Sequence, residues 1–494
     1  MNLLSRGSML RRLLIIVPLV LALILTSLFL PARQVTIKGV GTLSVGSEAA
    51  YASPNWLSGW AYRRAISLSP ATPVADYQVL ITLTTATMGN PYVHVNADGS
   101  DIRFTGSDET TLQDYWIESW NNMSISKIWV EVKTSVTSTI YMYYGNSGVI
   151  SASNGNDTFD FFDDFSGTLS KWTIDPENTD EVYIANGALR HDPSLNQTKN
   201  PYYDTRIRTT DYKILDGVIE YSVYLAGSTS SSPRIIHQLG FRVQSLNFEN
   251  GYCWRLQNSY TDGGHLRFTG IASWTPFGTA YPATAGNVWH NVKEVVSGST
   301  YTGYVDGGSA YSGTDSTKLT ADYLVSHVHG VNLDGSSYVL VDNVRVRKYA
   351  SPEPGATVGS EATPVISISV SPDKNWGTVY PGQTYSSATE EFTLTNTGDV
   401  PVNTSIQGED ATAPPALVWQ LSDTATPGSD VYGLKFFFDL SSWTIIKKST
   451  AVTFRPSLGV GASDTFGLQL LTPTKISTPN VTYSAKIYIT AVQE

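Results

Sequence analysis

Cysteine is nearly absent from this 494-residue chain. Cys253 stands alone, so no intrachain disulfide can form and stability must come from burial, which bodies of this size can supply. Its neighbours Tyr252 and Trp254 read as a strand interior, and the thiol as buried and inert. Charge is scarce as well, at 15%, and unbalanced, with 43 acidic against 32 basic residues. Arg6, Arg11, Arg12 and Arg33 all lie at the N-terminal end, so the rest is more acidic still, and such a surface repels nucleic acid and anionic lipid. Catalytic signatures are missing too: there is no G-x-S-x-G, H-E-x-x-H, Walker loop or dinucleotide fingerprint. Long helices are not expected, because Gly, Pro, Ser, Thr and the aromatics dominate a composition suited to pleated, turn-rich structure.

One hydrophobic run is long. Leu13 to Leu30 carries no charge and comes after Arg6, Arg11 and Arg12. Its length lies between the ~7–15 residues of a cleaved signal core and the ~20 that span hydrocarbon. Residues 1–33 therefore read as a signal peptide or a retained membrane anchor, and the flanking arginines place the rest of the chain outside the cell. Ala50-Tyr51-Ala52 is a cleavage-like site far downstream of the run, which favours the anchor.

Beyond a linker at 34–55, period-two alternation sets out the first body, 56–160. Tyr77, Val79, Ile81 and Leu83 share one face and Ile128, Val130 and Val132 another, while Gln78, Thr82, Lys127, Glu131 and Lys133 predict a solvated opposite side. Asp98-Gly99 marks a hairpin turn. A second body spans 161–350. A Pro- and Gly-rich stretch, 351–364, reads as a linker, and a third body occupies 365–494.

Several motifs carry resemblances. W-L-S-G-W-A-Y-R-R from Trp56, D-G-S-D-I-R-F from Asp98, Y-W-I-E-S-W from Tyr115, Y-M-Y-Y-G-N from Tyr141 and F-D-F-F-D-D-F from Phe159 together resemble a family of secreted prokaryotic domains of unknown function. The ends of the second body, F-F-D-D-F-S-G-T-L-S-K-W and Y-V-L-V-D-N-V-R-V-R-K-Y, resemble concanavalin A-like lectin and glucanase (laminin G-like) jelly rolls, in which the first and last strands lie together. In the third, W-G-T-V-Y-P-G-Q and then E-F-T-L-T-N-T-G-D looks like immunoglobulin-like sandwiches, without their cysteine pair. The resemblances imply an all-β chain of tandem antiparallel β-sandwiches after one N-terminal transmembrane or signal helix.

Glucanase relatives of the second body carry two glutamates on an E-x-D-x-x-E strand, where alternate residues share a face and can flank the scissile bond. No such strand occurs here, and Glu177 to Glu181 has the wrong spacing. Aromatic and hydrogen-bonding residues are the better lead. Trp274, Arg255, Tyr260 and His265 are candidate carbohydrate contacts, with Trp274 expected in an exposed loop and Trp254 in the inter-sheet core. Asp342 is the lone carboxylate on the apolar parity of the closing strand, and with Asp163 and Asp164 it could hold a structural Ca²⁺ or cap backbone amides. His327 and His329 share a strand face, with no third metal ligand evident.

These features converge on a non-catalytic modular protein of the cell surface or medium, tethered through its N-terminal helix or released. Its middle domain would bind a polysaccharide or cell-surface glycan. A polysaccharide hydrolase or its accessory subunit is one alternative, and a structural envelope or appendage component is another.

Overall fold

The computed structural model describes residues 33–39 and 56–494, apart from short segments at 197–203, 228–233, 248–249, 259–262, 271–272, 332, 334, 336, 372–373 and 440–441. The signal or anchor segment, 1–32, and Tyr260 thus lie outside the described residues. Among the described residues no helix is long and apolar enough to cross a membrane. The chain divides into two units, Trp60–Ala362 and a second that joins Met1–Gly59 to Thr363–Glu494.

Within the first unit, the strands Tyr77–Thr84, Ile125–Val132 and Tyr115–Ser119 form a three-stranded sheet. It faces a five-stranded sheet whose central strand is Thr139–Tyr144. Ile66, Tyr77, Val79, Ile81, Leu83, Ile128, Val130, Val132 and Met142 close the core between them, as alternation predicts. The motifs in this body belong together because Asp101 ties them. Its Oδ1 accepts from Asn96 N at 2.8 Å, its Oδ2 from Gly145 N at 2.7 Å, and its carbonyl from Trp60 Nε1 at 2.8 Å. The oxygen-rich turn is thus a capped bend. Gly99 cannot change there: its φ is +70°, and a Cβ would sit 2.8 Å from the Trp120 ring.

Two expectations need correction. Residues 351–364 are not a linker, because Gly355–Ala362 pairs antiparallel with Tyr62–Ser69 and supplies the edge strand of the five-stranded sheet. The first body is therefore discontinuous in sequence, and the second is inserted between its strands. Composition hides this: Gly, Ser and Ala on an edge strand have half-exposed side chains and show no apolar period. The outer side of the three-stranded sheet is also not uniformly solvated. Trp129 packs there on Phe159 and Phe162 and is buried, as is Gln78.

The inserted body is a sandwich of a seven-stranded and an eight-stranded antiparallel sheet. The opening strand Phe161–Asp163 pairs with the closing strand Val339–Arg347, as the jelly-roll resemblance implies. Between the sheets lie Ile219, Tyr221, Val223, Ile235, Leu239, Phe241, Tyr252, Trp254 and Leu256. Trp254 is fully buried, and its ring lies where a Cβ on Gly303 would come within 2.6 Å, so the strand opposite must carry glycine there.

Among its described residues the second unit is built of strands, with its own core around Phe392, Leu394, Trp419, Leu434, Phe466 and Ile487. Its strands pair antiparallel apart from Leu417–Leu421 with Val431–Phe437. Arg33–Gly39 runs along Tyr483–Gln493, so this part of the expected 34–55 linker is a strand.

Candidate functional site

Strand parity places a polar row on the side of the seven-stranded sheet that faces away from the inter-sheet core. Arg206 opposes His327, His327 opposes Gln238, and Gln238 opposes Arg255 on four neighbouring strands, Asp204–Ile214, Asp322–Val331, Arg234–Val243 and Gly251–Gln257. Their sequence neighbours Ile207, Val328, Leu239 and Trp254 point inward. All four polar side chains are buried. A buried polar group is stable only when paired, and the row supplies partners for His327, Gln238 and Arg255.

The hydrogen bonds form a directed chain. Asp204 Oδ1 accepts from His329 Nδ1 at 2.6 Å and from His327 Nε2 at 3.1 Å. With His327 Nε2 donating, Nδ1 accepts, and the Gln238 amide nitrogen meets it at 2.7 Å. The Gln238 carbonyl then accepts from Arg255 Nε and Nη2 at 2.9 and 3.0 Å. Burial alone would raise the Asp204 carboxyl, but the two imidazoles that donate to it hold it well below the usual range. Burial lowers His327 in spite of Asp204, so it is neutral at pH 7. Arg206 is anchored separately, with Nη2 3.2 Å from Asp175 and Nη1 3.3 Å from Asn247 Oδ1.

The chain ends on a ring. The Arg255 guanidinium lies 4.5 Å from the centroid of Trp274, which is 43% exposed. Trp274 does not sit in a loop, as its Gly- and Pro-flanked sequence suggests. It belongs to the edge strand Ser273–Pro276, opposite Phe268. An edge strand with every side chain exposed resembles a loop in composition, since no apolar period marks it.

Of the expected carbohydrate contacts, the structure brings Trp274 and Arg255 together and separates His265 from them. His265 opposes Trp254, shares its inward parity and is 1% exposed. It donates to or accepts from Glu294 at 2.8 Å and packs on Trp254 at 4.6 Å. His265 is a core residue, because register and not polarity assigns the face. Asp204 and Gln238 were invisible as site residues: single polar positions in strands of mixed polarity carry no spacing signal. The shared parity of His327 and His329 was the one legible hint, and their partner is a hydrogen-bonded aspartate.

The acids at the joined strand ends act mainly as caps. Asp163 Oδ1 accepts from Phe165 N at 2.9 Å and Oδ2 from Trp172 Nε1 at 2.8 Å. Asp164 Oδ1 accepts from Ser166 N at 3.1 Å, and Asp342 Oδ1 from Asn343 N at 2.7 Å. Among the described residues no three His, Cys, Asp or Glu groups are placed to hold a metal. A calcium shell takes six to eight oxygens, more than these three carboxyl groups show converging in the described residues. Burial, with Asp164 and Asp163 nearby, pushes the Asp342 carboxyl up to about 6. Cys253 is fully buried among Val243, Leu266, Phe268 and Val325, and burial pushes its thiol up, in keeping with an inert role.

No curated protein matches the chain. Among solved structures, it is similar to the carbohydrate-binding module CBM66 of Bacillus subtilis, at 14% identity over 36% of this chain and 96% of that one, TM-score 0.29. It is similar also to a β-glucanase of Bacillus licheniformis, at 13% identity over 38% and 98% of the two chains, TM-score 0.29. The laminarinase catalytic domain of Thermotoga maritima stands at 13% identity over 39% and 98%, TM-score 0.29. Residues 98–175 match a family described as a domain of unknown function (DUF2341), a span that runs from the turn at Gly99 through the Phe159–Phe162 packing into the first strands of the jelly roll.

Proposed function

We propose that this chain is a non-catalytic, extracellular modular protein whose jelly roll binds polysaccharide on the outer face of its seven-stranded sheet. One observation carries the reading: an exposed tryptophan plane, Trp274, is held by Arg255 at the end of a buried chain of hydrogen bonds back to Asp204. A sugar ring stacks through its C–H face on such a plane, while groups that are already oriented spare the entropy of ordering them on binding. The chain from Asp204 to Arg255 contains a single carboxylate, and both neighbouring imidazoles donate to it. Glycoside cleavage asks for two carboxylates across the bond. In this reading the C-terminal unit is an immunoglobulin-like spacer, and residues 1–33 tether the protein or export it.

The test is retention of the exported protein on a panel of insoluble polysaccharides. Binding with Kd of roughly 10⁻⁵–10⁻³ M and no release of reducing sugar is expected, as for shallow single sites. Trp274→Ala should abolish retention. Reducing sugar appearing with time would move the reading to a hydrolase, and no retention on any glycan would favour a structural role.

A further inference from the structure

A second cleft, of about 630 Å³, lies on the other side of the inserted body, where the outer face of the eight-stranded sheet meets the three-stranded sheet of the first body. Clefts at such junctions are common ligand sites. Register builds its floor: Arg345 lies near Glu220, Glu220 opposes Lys293, and Lys293 opposes Tyr304. Ser222 and Asn291 form the next row and hydrogen-bond to each other at 3.0 Å. The first body contributes Glu118, Lys127 and Trp129.

The charges in this cleft are committed, with one exception. Glu220 is held by Arg345 Nε at 2.9 Å and Arg347 Nη2 at 3.1 Å. Glu118 accepts from Trp129 Nε1 at 2.9 Å and pairs with Arg345 at 3.3 Å. Asp306 accepts from Asn291 N at 2.8 Å and meets His290 Nδ1 at 2.7 Å. Lys293 pairs with Glu353 at 2.6 Å. Lys127 is exposed at the rim and has no ion-pair partner among the described residues. Glu220 and Glu118 are thus paired with arginine, Asp306 is held by hydrogen bonds, and the cation without an ion-pair partner among the described residues is Lys127. Around it stand a half-buried phenol ring, Tyr304, and the neutral polar groups of Asn291 and Ser222.

We propose that this cleft is a binding site for a sugar acid, with the carboxylate of a uronate on Lys127, its ring against Tyr304 and its hydroxyls toward Asn291 and Ser222. The site stands apart from the Trp274 face and does not depend on it. A hydroxylated ring satisfies the neutral donors and acceptors, and a carboxylate satisfies the lone cation. A neutral sugar would leave Lys127 unpaired, and a phosphate, with its greater negative charge, would meet more repulsion from the half-exposed Asp306 carboxylate than a uronate does.

Isothermal titration of the whole exported protein with D-glucuronate and with D-glucose tests this. Glucuronate should bind with Kd of roughly 10⁻³ M, and glucose at least about tenfold more weakly. Lys127→Met should remove the preference for the acid without changing the melting temperature, since the side chain is exposed, and Lys127→Arg should keep it. Trp274→Ala should leave glucuronate binding intact, which separates the two sites. Equal binding of acid and neutral sugar, no binding of glucuronate, or loss of it in Trp274→Ala in place of Lys127→Met would each overturn the proposal.

Discussion

The two faces of the seven-stranded sheet are built from alternate residues of the same strands, yet they solve burial differently. The inner face is filled by Tyr252, Trp254, Leu239 and Phe241, and it takes in polar groups that bond to one another inside the core. His237 meets Ser326 Oγ at 3.2 Å, His191 bridges Thr205 and Ser326 at 2.9 Å each, and His265 meets Glu294. The outer face assembles its polar groups into one chain, Asp204 to Arg255, and ends it on an exposed ring. Polarity therefore does not tell the faces apart here. What differs is where the bonds lead: Thr205, His191, Ser326 and His237 bond to one another within the core, whereas the outer row leads to an exposed ring. In the proposed reading the outer arrangement also orients groups toward a ligand, as a binding surface requires.

The contrast can be broken most directly at its two tryptophans. Trp254→Ala should cost about 3–5 kcal/mol in chemical denaturation, the usual range for removing a large buried ring. Trp274→Ala should change stability by no more than about 0.5 kcal/mol while abolishing polysaccharide retention. Comparable losses of stability at both positions would erase the distinction between the faces.

Acid should strain both faces. Burial lowers His237 to about 3 and depresses His191 and His327, while Asp204 is held low by its imidazoles. An unfolded histidine titrates near 6.5, so between that pH and the folded value the unfolded chain binds more protons. Stability should be full above about pH 6.5 and should fall as the pH drops toward 3, by about 1.4 kcal/mol per pH unit for His237, with losses of the same sign from His191 and His327. Asp204 adds a loss of the same sign below about pH 4. A melting temperature independent of pH from 7 to 4 would contradict this. His237→Phe should flatten the profile, since that position then carries nothing to protonate.

Gln238→Leu sharpens the contrast at the row itself. It removes the acceptor offered to Arg255 and the donor to His327 and should cost about 1–3 kcal/mol. Polysaccharide retention should weaken with it, because Trp274 loses its oriented support. Retention equal to the parent protein would show that the row only stabilises the sheet.

The smallest effect is expected at Asp342. Its carboxyl titrates near 6 in the fold and near 3.8 when unfolded, so its contribution is present at low pH and is lost as pH rises through 6. Asp342→Asn should raise the melting temperature slightly at pH 7 and not at pH 4. Chelator should leave the melt of the parent protein unchanged, and a fall on chelation would mean that Asp163, Asp164 and Asp342 hold calcium after all.

The sequence by itself determined whatever rests on local periodicity and composition. Alternation at Tyr77 to Leu83 names an inward face, and Tyr252 and Trp254 read as a core strand, signals that a single strand carries; that the first and last strands of the second body lie together is implied only by the resemblance of its end segments to jelly rolls. Tertiary structure decided what depends on which strands become neighbours and in what register. It turned 351–364 from a linker into the edge strand of a body begun far upstream, at Tyr62–Ser69. It sent His265 into the core by setting it opposite Trp254, and brought Asp204, His327, Gln238 and Arg255 into one row from four distant stretches of chain. Side-chain direction is a property of one strand, so it can be read locally, but a site made across strands is a property of their pairing, and a one-residue slip in that pairing would move every member of the row to the opposite face.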